Sequence, residues 1–271
     1  MIASIIDNQT IIVNDLTQFD PYAILHSGQI FRYWQTKQGW LVLSGTHWAE
    51  IIIENGQIII KCDDSHYFYN FFDFETNYEN IKSTMTISKM KKALSFGHGI
   101  RILRGDFFEI VLSFIISANN NIKRFTKTIN AFCEKYGTML ACGYYSFPSL
   151  EQCINVTVNE FNQLGCGYRS QYLREAIQQL KNLDFNVLKT LSNEELYRKL
   201  LQIKGVGPKV ASCIMLFSFH RLDVAPVDTW IKKAIAQLTN KEQEAILRGK
   251  YSGVAQQYIF YYLQHLQKEK L

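Results

Sequence analysis

No run of apolar residues in this chain approaches the ~20 needed to cross a bilayer as a helix, which argues against a membrane-spanning protein. A basic, then apolar leader is missing too. Met1-Ile2-Ala3 runs at once into Asp7, Asn8 and Gln9, so the expectation is a protein without a signal peptide, working inside the cell. Cysteine is sparse: Cys62, Cys133, Cys142, Cys153, Cys166 and Cys213 are scattered, as suits reduced thiols better than a disulfide framework, and none follows Cys213. A strong charge imbalance is also absent, with 29 Lys+Arg against 24 Asp+Glu and a formal +5. That is compatible with nucleic acid as a partner without establishing it. Position says more than the sum. Lys89, Lys91, Lys92, Arg101, Arg104, Lys123, Arg124, Lys127, Arg169, Arg174 and Lys204 gather in the middle of the chain.

What is present is a globular composition, 47% hydrophobic and 14% aromatic over 271 residues. A chain of this length buries a substantial core and is expected to form two or three subdomains. Residues 1–85 read as an antiparallel β domain. Phe31–Trp34, Trp40–Leu43, Glu50–Ile53 and Gln57–Ile60 are β-branched or aromatic runs, and Gln38-Gly39, Ser44-Gly45 and Asn55-Gly56 punctuate them. About four to six strands are expected. Residues 86–190 read as helical, with a nearly all-apolar helix from Phe107 to Ser117 capped by Asp106. Three consecutive asparagines, Asn119 to Asn121, then favour a turn. Residues 191–271 complete the chain as helices, and the fold class is α+β.

The most informative stretch runs from Ser192 to Ile235. Ser192 and Glu195 form a capping box ahead of a helix whose apolar face is Leu196, Leu200 and Ile203. Gly205-Val206-Gly207 breaks that helix and Pro208 opens the next, striped by Val210, Ile214 and Phe217. The result is a helix, a glycine turn and a helix, with free amides at a helix start that suit a phosphate. By itself this pattern also fits an ordinary αα-hairpin. Lys209 lies in the first turn, where the helix dipole disfavours another positive charge and so favours the neutral, nucleophilic amine. Ala225-Pro226-Val227-Asp228 leads into a third helix, making Asp228 an N-cap candidate held ionised by the amides it accepts.

The run from Leu201 to Asp228 resembles the helix-hairpin-helix "GPD" superfamily of DNA glycosylases, and within it the chain looks most like the 8-oxoguanine DNA glycosylases. The resemblance implies a bifunctional glycosylase and lyase of base excision repair, acting on double-stranded DNA that contains oxidised guanine. Lys209 would be the Schiff-base nucleophile and Asp228 the carboxylate that stabilises charge on the sugar. Gly28, in Ser27-Gly28-Gln29, would accept N7–H of the oxidised base through its carbonyl. Gln256 would meet the Watson–Crick edge of that base, with Phe260 and Cys213 against its two ring faces. Asn119, Arg124 and Arg169 would contact the cytosine left behind, Tyr168 would wedge into the stack, and the amides of Gly205, Gly207 and Val210 would hold phosphates.

The same resemblance implies a monomer that needs no cofactor or catalytic metal. A structural cation at the carbonyls of Leu201, Ile203 and Val206 belongs to the superfamily pattern. Relatives such as endonuclease III carry four clustered cysteines after the catalytic region, and the absence of any cysteine past Cys213 implies no iron–sulfur cluster here. The chain departs from the family at Trp230, where the best-known members carry a histidine, so the grip on the 5′ phosphate is expected to differ. Two rivals stay open on the residues alone, a glycosylase for another damaged purine and a non-catalytic DNA-binding module.

Overall fold

The computed structural model describes every residue except Asp228, Gln237 and 269–271, and the side chains of Lys89, Thr229, Trp230, Ala234, Gln267 and Lys268 are likewise not described. The chain groups into two compact units. One comprises 1–42, 49–104 and 220–271, the other 43–48 and 105–219. The first unit is therefore discontinuous, where the sequence reading ran three segments consecutively.

The first unit opens with β1 (Ala3–Asp7) and β2 (Thr10–Val13), followed by α1 (Pro21–Leu25). β3 (Tyr33–Gln35), β4 (Gly39–Ser44), β5 (His47–Glu54) and β6 (Gln57–Cys62) come next, and the sheet order is β1-β2-β6-β5-β4-β3. The β1–β2, β2–β6, β3–β4 and β5–β6 pairs are antiparallel. Asn55-Gly56 makes the β5–β6 turn, with φ of 51° and 75°, the left-handed pair a two-residue hairpin requires. Side chains alternate across a strand, so Ile51 faces its partner Ile60 and both are wholly buried. With Ala3, Ile11, Val13, Ala49, Ile58 and Cys62 they form one face of the core. Phe68, Phe71 and Phe72 from and just after α2 (Ser65–Phe71) form the other. α3 (Tyr78–Ser83) and α4 (Lys91–Phe96) follow.

α1, α2 and α3 interrupt a region read from sequence as β-rich. Each is nucleated by a cap: Asp20, Asp64 and Asn77 accept from the amides of Ala23, Tyr67 and Asn80. These caps outweigh the β preference of the aromatic-rich segment between Tyr67 and Phe74.

The second unit is helical: α5 (Phe107–Ser117), α6 (Ile122–Tyr136), α7 (Leu150–Cys153), α8 (Val158–Gln163), α9 (Arg169–Leu180), α10 (Phe185–Thr190), α11 (Asn193–Leu201) and α12 (Pro208–Phe217). α5 is central, as its all-round apolarity predicts, and packs against α6, α9 and α12. Asp106 caps it, accepting from the amide of Glu109 at 2.8 Å. The turn 43–48 also belongs to this unit, where the Gly45 amide donates to Glu109 Oε2 at 2.5 Å. Returning to the first unit, α13 (Thr229–Ile235), α14 (Asn240–Arg248) and α15 (Ser252–Lys268) close the chain, and α15 packs against α4, α13 and α14.

Candidate active site

In the second unit the hairpin of α11 and α12 is built from local signals. The Ser192 amide donates to Glu195 Oε2 at 3.0 Å and the Glu195 amide to Ser192 Oγ at 3.3 Å, closing the capping box. The Ser192 hydroxyl and amide hold the Glu195 carboxyl below its usual range. In the turn, Gly205 has φ +82°, and a Cβ there would stand 3.0 Å from Tyr172 Cβ. Glycine is thus required on both conformational and steric grounds. Gly207 differs. Its φ is −90°, it is the N-cap of α12, and a Cβ there would meet nothing within 4 Å. What Gly207 provides is an open approach to the helix start.

Pro208 has no N–H, and the first intrahelical bond runs from Ala211 to the Gly207 carbonyl at 2.9 Å. Helix geometry therefore directs the amides of Gly207, Lys209 and Val210 outward at the positive end of the dipole, although the Val210 side chain is buried. Lys209 is exposed in the first turn, its Nζ 5.3 Å from the centroid of the Phe114 ring. Cys213, one turn on, is buried. Leu201 is exposed, Ile203 and Val206 are buried, and the Ile203 carbonyl accepts the Val206 amide at 3.0 Å.

A second group in this unit lies around the asparagine turn. Asn119 is exposed and holds φ +49°, a left-handed conformation that asparagine tolerates. Asn121 caps α6, accepting from the Arg124 amide at 2.9 Å, which leaves the Lys123, Arg124 and Lys127 side chains exposed along that helix. Tyr168 is 56% exposed.

Arg169 is engaged by the fold itself. Expected from the family resemblance to contact the orphan cytosine, it is only 6% exposed in the structure. Nε donates to the Ala118 carbonyl at 2.7 Å, Nη2 donates to the same carbonyl and to that of Asn119 at 2.8 Å, and Nη1 reaches the Cys166 carbonyl at 3.4 Å. The guanidinium also lies 4.4 Å from the Tyr168 ring centroid. Its geometry is that of a clamp on the asparagine turn.

In the first unit, Gly28 holds φ +79° and a Cβ there would stand 3.1 Å from Phe260 Cε1, so Gly28 and Phe260 lie against each other. Gln256 is 4% exposed and its Oε1 has no hydrogen-bond partner. Burying an acceptor unpaired is costly, so such atoms point to a ligand that pairs them. Asp228 lies outside the described residues, as does the Trp230 side chain.

Two of the clustered basic residues prove structural. Arg101 is wholly buried, donating to the carbonyls of Phe72 (3.0 Å), Gln18 (3.1 Å), Asp73 (2.5 Å) and Thr76 (2.6 Å) while covering the Tyr78 ring. Arg104 is paired with the buried Asp73 carboxylate, which also accepts from Tyr78 and contacts His220 Nε2 at 2.9 Å. Burial alone would raise the Asp73 carboxyl, but the hydrogen bond and charge of His220 and the charge of Arg104 outweigh it and hold it low. An arginine inside the apolar run Ile100-Arg101-Ile102-Leu103 was the available signal for burial.

Comparison with known proteins agrees with these features. Residues 11–111 match the model of the 8-oxoguanine DNA glycosylase N-terminal domain, and residues 112–245 match that of the HhH-GPD superfamily base excision DNA repair proteins. The solved 8-oxoguanine glycosylase/lyase of Clostridium acetobutylicum, in complex with double-stranded DNA containing cytosine opposite 8-oxoG, is 34% identical with a TM-score of 0.88. That alignment covers 98% of this chain and all of the other. The N-glycosylase/DNA lyase of Saccharomyces cerevisiae is 32% identical over 177 residues, 58% of this chain and 47% of that protein. The probable N-glycosylase/DNA lyase of Methanothermobacter thermautotrophicus is 26% identical over 230 residues, 74% of each chain. The chain spans about half the length of the first curated relatives it matches, 47% and 51%. A hairpin presenting Lys209 behind a Gly-Val-Gly turn, a β-sheet unit carrying Gly28, and whole-length likeness to a solved relative lead to one conclusion: the chain belongs to the 8-oxoguanine DNA glycosylase family of the HhH-GPD superfamily.

Proposed function

We propose that this chain excises 8-oxoguanine from duplex DNA, preferably opposite cytosine, and nicks the strand through a lysine Schiff base. The observation that carries this reading is Lys209, exposed in the first turn of α12 among outward amides. Phosphate gripping alone would not need an amine there, and the family resemblance supports its role as nucleophile.

A base inside a duplex is out of reach, so the nucleotide must be extruded, at a cost of a few kcal/mol. The amides of Gly205, Gly207 and Val210 hold backbone phosphates without reading sequence. Lys209, as the neutral amine, attacks C1′. The C1′–N bond to the enzyme forms as the glycosidic bond breaks, and the base leaves with the bonding pair and takes up a proton. Asp228 stabilises positive charge developing on the sugar. The C1′–O4′ bond of the resulting aminal then opens, O4′ taking up a proton, to give an iminium that acidifies C2′–H, and loss of that proton expels the 3′ phosphate by β-elimination.

Guanine's Watson–Crick edge offers N1–H and an exocyclic amine, which suit the unpaired Gln256 Oε1. N7–H of the oxidised base is given to the Gly28 carbonyl, while the Phe260 and Cys213 side chains cover the ring faces. Asn119 and Arg124 face the orphan cytosine, with Tyr168 as the wedge. No cofactor or iron–sulfur cluster enters this chemistry, since an amine and a carboxylate suffice. A structural cation at the Leu201, Ile203 and Val206 carbonyls would brace the hairpin turn and take no part in bond breaking. The protein acts as a monomer in the compartment that holds the DNA; among the described residues no helix is long and apolar enough to cross a membrane.

Borohydride trapping on duplexes with 8-oxoguanine opposite each of the four bases tests the reading. The expected result is a covalent adduct formed best opposite cytosine and lost, together with nicking, in Lys209→Gln. Nicking that persists in Lys209→Gln would overturn the assignment of the nucleophile. A panel of other damaged purines excised in preference to 8-oxoguanine would overturn the substrate.

A further inference from the structure

Gln256 and Gln257 are adjacent on α15, both buried, and treated differently by the fold. Gln256 Oε1 has no partner, whereas Gln257 Nε2 donates to the Ser27 carbonyl at 2.5 Å across 230 residues of sequence. Gln257 is 2% exposed, so water cannot replace that bond. On the other side of Gly28, Gln29 is 1% exposed and anchored at both ends of its amide. Nε2 donates to Ser27 Oγ at 2.8 Å and to the Arg101 carbonyl at 2.9 Å, and Oε1 accepts the Leu103 amide at 2.9 Å. Ser27 Oγ in turn donates to the Ile24 carbonyl at 2.7 Å. Gly28 sits between these anchors with φ +79°, a conformation without a Cβ and so without its own steric restraint.

We infer that Gln257 is a positioning residue for lesion discrimination: by holding the Ser27 carbonyl it fixes the peptide ahead of Gly28, while Gln29 fixes the one behind. The inference rests on the proposed function above. Oxidised guanine differs from guanine at N7, which carries a proton in one and a lone pair in the other. A single backbone carbonyl separates the two only if it cannot turn away from the lone pair, since discrimination by a hydrogen bond depends on the wrong partner leaving a fixed group unpaired. Glycine gives the closest approach for the base but the least rigidity. The two glutamines supply the rigidity from outside. One position earlier, Gln256 Oε1 has no partner and remains available for the base.

The test uses full-length protein carrying Lys209→Gln, so that binding is read without chemistry, with and without Gln257→Met, which keeps side-chain length and removes the donor. Dissociation constants are measured on duplexes bearing 8-oxoguanine or guanine opposite cytosine. The expected result is a fall of about tenfold in the guanine-to-8-oxoguanine Kd ratio, equivalent to one hydrogen bond of about 1.4 kcal/mol. Gln29→Leu, which severs the other anchor, should lower the same ratio. A ratio unchanged in both variants overturns the inference, whether overall affinity holds or drops for both duplexes alike, because a merely structural role weakens both. A parent protein that does not prefer 8-oxoguanine over guanine would instead overturn the proposed function.

Discussion

Arg169→Ala separates two roles for one side chain. A DNA contact predicts lost affinity with intact stability, whereas a clamp predicts lost stability. The structure gives Arg169 donor contacts to the carbonyls of Ala118, Asn119 and Cys166, and a ring face on Tyr168. Hydrogen bonds from a charged donor are worth ~1.5–3 kcal/mol each, and they are not additive within one side chain. Asn119 is exposed and Ala118 half-buried, so water restores part of the loss. The net cost works out at about 3 kcal/mol, a large share of a typical ~5–15 kcal/mol stability. At ~2–4 °C per kcal/mol for a chain of this size, Tm should fall by about 6–12 °C. Thermal unfolding followed by circular dichroism measures this, alongside affinity for a duplex with an abasic site opposite cytosine. Both should fall, since the asparagine turn loses its shape with its clamp. A Tm within about 1 °C of the parent, with affinity for the orphan cytosine lost, would refute the clamp and restore the direct contact.

Arg101→Met should be more severe than Arg169→Ala because Arg101 is wholly buried and four carbonyls lose the donor it supplies, only that of Asp73 keeping another, the Thr76 amide at 3.2 Å. A loss of ~3–5 kcal/mol is expected in urea unfolding, and a loss under ~1 kcal/mol would mean those carbonyls find other partners. Burial pushes the thiols of Cys62, Cys153 and Cys166 up to about 12. At pH 8 their thiolate fraction is then ~1 in 10,000, so a disulfide reagent should reach these three only on unfolding. Mapping of modified cysteines by mass spectrometry, native against denatured, reads this out; rapid native labelling of any of the three would contradict the burial.

The hairpin was legible because its signals lie within a few residues of one another. The capping box of Ser192 and Glu195, the Gly205 turn and Pro208 each act on the nearest backbone, and the structure reproduces them. The same locality explains α5, the Asp106 cap and the Asn55-Gly56 hairpin. It also explains the misses. β1 and β2 are short and escaped as separate strands, and the caps that begin α1, α2 and α3 were hidden among β-favouring aromatics.

What the sequence determined by itself was the inventory: an α+β chain, a hairpin with a lysine in its second helix, a glycine ahead of the strand runs that begin at Phe31, and glutamine and phenylalanine four apart on the last helix. Only the tertiary structure decided which polar groups are spent on the fold and which are left for a ligand. Arg169 finds its acceptors 51 and 50 residues away, Arg101 reaches back 83 residues to Gln18, and Gln257 finds Ser27 at 230. Burial makes those pairings obligatory, and burial is a property of packed neighbours that no local pattern carries.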